Sequence, residues 1–175
     1  MSEYILRLQE VIAFSLRDMS REDMLRRQEG KWSAAEVLEH LYLTYSATAK
    51  ACERCLAAES PTATAQTLRQ RFKTLVVIIL GYFPRGIQAP AQVHPKGIPV
   101  EQVVSDIARQ IAVMDELLTR CELRHGRRNK LFNHPVLGAL TGAQWRKFHW
   151  IHGWHHVKQI SRLQKKYMGK QKPPV

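Results

Sequence analysis

Apolar residues recur along most of this chain at the spacing of an α-helix face. Ile5, Leu8, Ile12, Leu16 and Met19 follow one another at intervals of three and four, which places them on one side of a helix. The charged stretch from Ser20 to Lys31 interrupts the pattern and predicts a connection. Ser33-Ala34-Ala35-Glu36 has the form of a capping box, in which an N-cap Ser and a Glu at the third helical position satisfy each other's free amides. Trp32, just before it, is placed to pack back on the first turn. Val37, Leu41, Thr44, Ala47 and Ala51 mark one face of this second helix, predicted to run to about Ala58, before Ser60-Pro61. A third helix is predicted from about Thr64 to Tyr82. Its Leu75–Leu80 segment is apolar on all sides, so deep burial is expected.

Four prolines between Phe83 and Pro99 demand a loop. The fourth helix, from about Val100 to Leu123, carries Val103, Ile107, Ile111, Met114, Leu118 and Cys121 on one face. A basic loop from Arg124 to Leu140 leads to a last helix, capped by Thr141 and predicted to reach about Tyr167. No strand alternation or hairpin turn is evident. The pattern predicts one all-α domain over residues 1–168, a bundle of five helices, followed by a basic tail over 169–175 that is expected to fray.

Composition adds constraints. A chain of 175 residues with 45% apolar content can bury a core without disulfide staples. Its longest strongly apolar run, Leu75 to Leu80, falls far short of the roughly 20 residues of a membrane span. Met1-Ser2-Glu3-Tyr4 carries no secretory signal, and the cysteine count is odd (Cys52, Cys55, Cys121). Both point to a reducing, cytoplasmic setting. Cys52 and Cys55 form a C-x-x-C pair late in a helix. Redox pairs gain low pKa values at helix N-termini, so these two read as packing residues.

The net charge of +12 is located. Residues 1–122 hold 15 acidic and 15 basic side chains, whereas residues 123–175 hold 12 basic and no acidic ones. Such a block can bind nucleic acid, an anionic membrane or an anionic substrate, or it can be a solvated face. Lys158, Arg162, Lys165 and Lys166 fall on the exposed side of the last helix. No helix-turn-helix, zinc finger or other nucleic-acid reading module is visible.

The chemistry concentrates in histidines. Four of the eight lie within eight residues: His149, His152, His155 and His156. Residues four apart share a helix face, so His152 and His156 stand together on the stripe of Trp145 and Leu163, pointing inward. His149 lies close to this face and His155 nearer its edge. Two buried imidazoles need partners, and a divalent metal is a suitable one. His40 lies on the inward stripe of the second helix, among small neighbours. It reads either as a hydrogen-bonded core histidine or as a third ligand. In the second case one His from the second helix and two from the last make a three-His site with open positions, the pattern of catalytic metals. Glu36, one turn before His40, is a cap, an orienting group or a base. Gln159 on the ligand stripe either orients a ligand or packs, and His149 either supports a ligand or substitutes for one. His134 reads as a turn residue or as part of a pocket mouth, and His125 as part of the basic loop.

These residues carry a resemblance. Lys31-Trp32-Ser33-Ala34-Ala35-Glu36-Val37-Leu38-Glu39-His40-Leu41 resembles the start of the second helix in the DinB-like (DinB/YfiT) superfamily, W-s-x-x-E-x-l-x-H-l. Ile151-His152-Gly153-Trp154-His155-His156-Val157-Lys158-Gln159-Ile160 resembles its n-H-x-x-H-H-x-x-Q-i helix. Asn133 to Thr141 is similar to the preceding loop in an uncharacterised branch. The resemblance covers most of the chain in helix order. It implies an up-down-down-up four-helix bundle with an additional helix, and a divalent metal, often nickel or zinc, on His40, His152 and His156. It also implies that His155 is not a ligand, and that the protein forms a homodimer. Thiol S-transferase-like members read H-H-R-G-Q at the end of the motif, where this chain reads His155-His156-Val157-Lys158-Gln159.

Three functions follow as expectations. The first is a metal-dependent enzyme acting on a small molecule, of hydrolase or thiol S-transferase type. The second is a helical nucleic-acid-binding protein that uses the basic C-terminal third. The third is a non-catalytic dimerisation module. No G-x-S-x-G, P-loop or dinucleotide fingerprint is present, so nothing points to a serine nucleophile, a nucleoside triphosphate or NAD.

Overall fold

The computed structural model describes residues 1–82 and 89–168; the tail at 169–175 lies outside them. Among the described residues there are six α-helices: α1 (Glu3–Leu16), α2 (Arg21–Leu25), α3 (Ala34–Ala57), α4 (Leu68–Thr74), α5 (Val100–His125) and α6 (Gly142–Met168). Two of the long helices begin at side-chain caps. Ser33 and Glu36 complete the capping box of α3. Thr141 and Gln144 exchange equivalent bonds ahead of α6, at 3.2 and 3.0 Å.

Side-chain contacts fix the directions of the four long helices. Between α3 and α5, Glu39 bonds the amides of Lys96 and Gly97 just before α5, and Cys121 reaches Cys52 near their other ends. These helices are therefore parallel. Helices α1 and α5 are antiparallel, since Ser2 meets Asp115, Gln9 meets Ala108 and Arg21 meets Glu101. Helix α6 runs against α3, because Tyr45 packs on His149 while His40 packs on His152 and His156. The result is the up-down-down-up bundle. Its core includes Leu8, Leu38, Leu41, Tyr45, Ile111, Leu118 and Ile160, all inaccessible to solvent. Helices α1 and α6 cross closely at Gly153, where a Cβ would lie 2.2 Å from Leu8 Cδ1. No described helix is long and apolar enough to cross a membrane.

Three expectations are corrected. The third helix begins at Leu68, under a Thr67–Gln70 capping box, and its last turn widens into a π-helix, Leu75–Ile79. That apolar segment is not deeply buried. Val77 and Ile78 face the core, but Leu75, Ile79 and Leu80 are 48%, 59% and 70% exposed. The segment lies on the outside of the bundle, and an all-apolar pattern cannot distinguish a buried segment from one lacking a neighbour. The Ser20–Lys31 connection contains α2, started by Ser20 accepting from the Asp23 amide. Finally, the basic loop holds a small antiparallel hairpin, β1 (Phe132–His134) and β2 (Gly138–Leu140). Strands of three residues are too short to show alternation. His134 closes the turn by accepting at Nδ1 from the Val136 and Leu137 amides, and Gly138 supplies a φ of 74°.

Candidate metal centre

The antiparallel pairing of α3 with α6 brings His40 against one turn of α6. His40, His152 and His156 each offer a ring nitrogen, and the three atoms lie within 4.8 Å of one another. His152 Nε2 stands between the other two, 3.2 Å from His40 Nε2 and 3.2 Å from His156 Nε2. Two nitrogens bound at about 2.0–2.1 Å to one tetrahedral ion are separated by about 3.3 Å. The three side chains are 3%, 6% and 9% exposed.

The groups behind the rings decide which nitrogen carries a lone pair. His40 Nδ1 lies 2.8 Å from the Val93 carbonyl oxygen. A carbonyl only accepts, so Nδ1–H donates and Nε2 is left bare. His156 Nδ1 stands 3.1 Å from Gln159 Oε1 and donates to it in the same way. Two bare nitrogens therefore converge on the third imidazole. Burial pushes the His40 imidazole below its usual pKa, holds that of His156 down to about 3, and lowers His152 well below the ordinary range, with the neighbouring imidazoles adding to the effect. The rings are neutral near pH 7, which is the state that ligates a metal. The donor set therefore fits a divalent ion: ring nitrogens face one another at ligand spacing, and the outer nitrogens of His40 and His156 are hydrogen-bonded as in metal-binding histidines.

The surroundings come from three segments. Glu39, buried at 3% exposure, accepts from the Lys96 and Gly97 amides and fastens the segment that carries Val93 to α3. Trp32 lies against His40 and His94, with ring centroids 5.2 and 5.9 Å away. Phe148 stacks on His152 at 5.3 Å. Sequence reasoning missed Val93 and Glu39. Val93 acts through a backbone carbonyl, which leaves no trace in residue identity, and Glu39 reads as an ordinary helix charge.

A family model described as a protein of unknown function, DUF1569, matches residues 8–163. The chain belongs to that family. No curated protein and no solved structure matches it. The DUF1569 match runs from α1 into α6 and includes all three histidines.

The remaining candidates of this DUF1569 member fall in different places. Glu36 is held by the capping box and by an ion pair with Arg27. The Arg27 guanidinium keeps its carboxyl below the usual range, so Glu36 is a charged cap and does not reach the imidazoles. Gln159 is the partner of His156 described above. His155 is half-buried and its ring lies 5.2 Å from His156, outside the trio. His125 ends α5 and bonds the Cys55 carbonyl at 3.0 Å. Cys52, Cys55 and Cys121 are free thiols buried in the core.

His149 lies one turn below His152, fully buried between Tyr45, Trp145 and Phe148. Among the described residues, neither of its ring nitrogens has a hydrogen-bond partner. Burial, with His134 nearby, holds its pKa down to about 3. An unfolded histidine titrates near 6.5. The folded value is depressed, so this contribution to stability is complete above about pH 6.5 and falls as pH drops towards 3. Between pH 7 and pH 5 the expected loss is about 2 kcal/mol for one such histidine. Urea unfolding of metal-free protein at the two pH values measures it. The loss shrinks in His149→Phe, a substitution that keeps the ring and removes the titrating group; an unchanged loss refutes the assignment.

Proposed function

We propose that this protein is a metal-dependent enzyme of the DinB-like superfamily, holding one divalent transition metal, nickel or zinc, on His40, His152 and His156. The observation that carries this reading is the convergence of three neutral, buried imidazoles, two with their outer nitrogens fixed by Val93 and Gln159. The motif resemblance around Trp32–His40 and His152–Gln159 supports it. When bound, a divalent ion at this place supplies Lewis acidity, which favours deprotonation of a water or thiol near neutral pH. Three protein ligands leave room for a small-molecule substrate. The residues around the trio do the rest: the Val93 carbonyl and Gln159 orient rings, and Trp32 and Phe148 exclude water from them.

Hydrolysis and thiol S-transfer both suit such a site. At the positions where transferase-like members carry Arg-Gly, Val157 is a core residue and Lys158 faces solvent. The test is a screen of ester and amide substrates, and of electrophiles with bacillithiol, mycothiol, glutathione or cysteine, using metal-loaded protein. Turnover that a chelator abolishes and added metal restores is the expected result. A thiol requirement assigns transferase chemistry, and its absence assigns hydrolysis. Metal-loaded protein without turnover on any class favours the non-catalytic module.

The homodimer belongs to the same reading. Leu68, Phe72, Leu75 and Ile79 lie exposed at helical spacing along α4 and the π-turn, an apolar stripe suited to a second copy of the chain. Sedimentation equilibrium is expected to give twice 20.2 kDa, and Phe72→Glu to give the monomer. A wild-type monomer at all concentrations removes this part of the proposal.

A further inference from the structure

The basic C-terminal third contains a feature that the metal centre does not use. On the side of α6 turned away from His152, a cavity of about 480 Å³ opens to solvent between α6, the start of α1 and the end of the π-turn. Its walls are aromatic. Trp150 and Trp154 stack with centroids 5.8 Å apart and planes 15° from parallel, and Tyr4 and Tyr82 face the same space. Trp154, Tyr4 and Tyr82 are all substantially exposed, so flat ring surface is left open to a ligand. Its charge is of one sign. Lys147, Lys158 and Arg162 line the cavity, and among the described residues no carboxylate does. None of the three forms an ion pair among the described residues. Lys158 Nζ sits 5.7 Å from the centre of the Trp154 ring, which places a cation beside the stacking surface.

Open aromatic faces together with uncompensated cations select a ligand that has both a planar ring and concentrated negative charge. A phosphate monoester carries about −1.5 to −2 charge near pH 7, and bases stack on aromatic side chains whatever their identity. We propose that this groove is a nucleotide-binding site, with Trp154 as the stacking platform and Lys158, Arg162 and Lys147 as the phosphate-binding cations. The nucleotide can be free or part of a single strand, since both present the same base and phosphate. This proposal goes beyond the metal-centre reading and does not depend on it.

Calorimetric titration of the full chain at low salt tests the proposal. The probes are adenosine 5′-monophosphate, ribose 5-phosphate, adenosine, a twelve-nucleotide oligoadenylate and a duplex of the same length. Each titration is run with and without EDTA, so that phosphate binding to a metal on the histidines is recognised. Saturable binding of the monophosphate or the oligoadenylate is expected, unchanged by EDTA. The ring-free and phosphate-free probes are expected to bind at least tenfold more weakly, as is the duplex, whose bases are hidden. Lys158→Glu, Arg162→Glu and Trp154→Ala change exposed residues and are expected to keep the wild-type helical circular dichroism while each weakens binding at least tenfold. An oligoadenylate preference above a hundredfold identifies a strand as the source, and a smaller one identifies the free nucleotide. The proposal is overturned if neither nucleotide probe binds, if EDTA abolishes binding, if ribose 5-phosphate or duplex binds as well as its counterpart, or if the variants bind like wild type.

Discussion

Replacing His152 by Ala is expected to weaken divalent-metal binding at least ~100-fold, with His40→Ala and His156→Ala close behind. His152 Nε2 is the atom that both other ring nitrogens approach, at 3.2 Å each, so its loss leaves two ligands on different helices with nothing between them. Removing only an orienting partner of a ligand commonly costs 10–100-fold in affinity; losing a ligand costs at least as much. Gln159→Ala removes such a partner from His156 and should fall in the ~10–100-fold range. His155→Ala should bind like wild type, since its ring is outside the trio. Elemental analysis of metal-supplemented protein gives the stoichiometry, expected at one ion per chain. Competition with a chromophoric chelator gives the affinities. Full binding by the His40→Ala protein, or equal weakening by His155→Ala, would sink the three-ligand site. All five variants should keep wild-type circular dichroism, measured beside the affinities so that weakened binding is separated from unfolding.

The second large effect is on stability and does not involve the metal-site histidines. Arg146 at the start of α6 is buried with two carboxylates from α5. Its Nε donates to Asp115 Oδ1 at 2.5 Å, and its two terminal nitrogens donate to Glu122 Oε2 and Thr119 Oγ1, both at 2.8 Å. Asp115 also accepts from the Ser2 amide at 3.0 Å, so one charge cluster joins α1, α5 and α6. Arg146→Met leaves both carboxylates in the interior without their cation. Breaking a buried pair from one side costs about 3–5 kcal/mol, a large share of the roughly 5–15 kcal/mol that holds a domain folded. Urea unfolding at pH 7 should show the midpoint falling by a corresponding amount. Adding Asp115→Asn to Arg146→Met should recover part of the loss, because one stranded charge is removed. A single variant within about 0.5 kcal/mol of wild type, the range of ordinary surface changes, would show that the cluster is solvated.

Much of this molecule is determined by short-range pattern. The spacing of Ile5, Leu8 and Ile12, the Ser33–Glu36 box and the Thr141 cap depend on neighbours within a turn or two, so the long helices and their inward faces are readable from the chain. The same rule places His152 and His156 together, because residues four apart on one helix meet whatever surrounds them. His40 could only be nominated, since its inward stripe is local but its partner is 112 residues away. Only the antiparallel packing of α3 on α6 decided that the three rings converge. Tertiary structure also decided which nitrogens face inward, because the Val93 carbonyl arrives from a distant segment that Glu39 fastens. The fate of the Leu75–Leu80 segment shows the limit most plainly. Its apolar character is a property of the sequence, but burial is a property of neighbours, and this segment has the bundle on one side and solvent on the other. Likewise the 12 basic residues of the last third are visible in composition, yet the fold places Arg146 in a buried cluster and gathers Lys147, Lys158 and Arg162 around stacked tryptophans. Periodicity sets what each helix can bury; the packing of helices far apart in sequence sets what it does bury, and which side chains are left to bind something else.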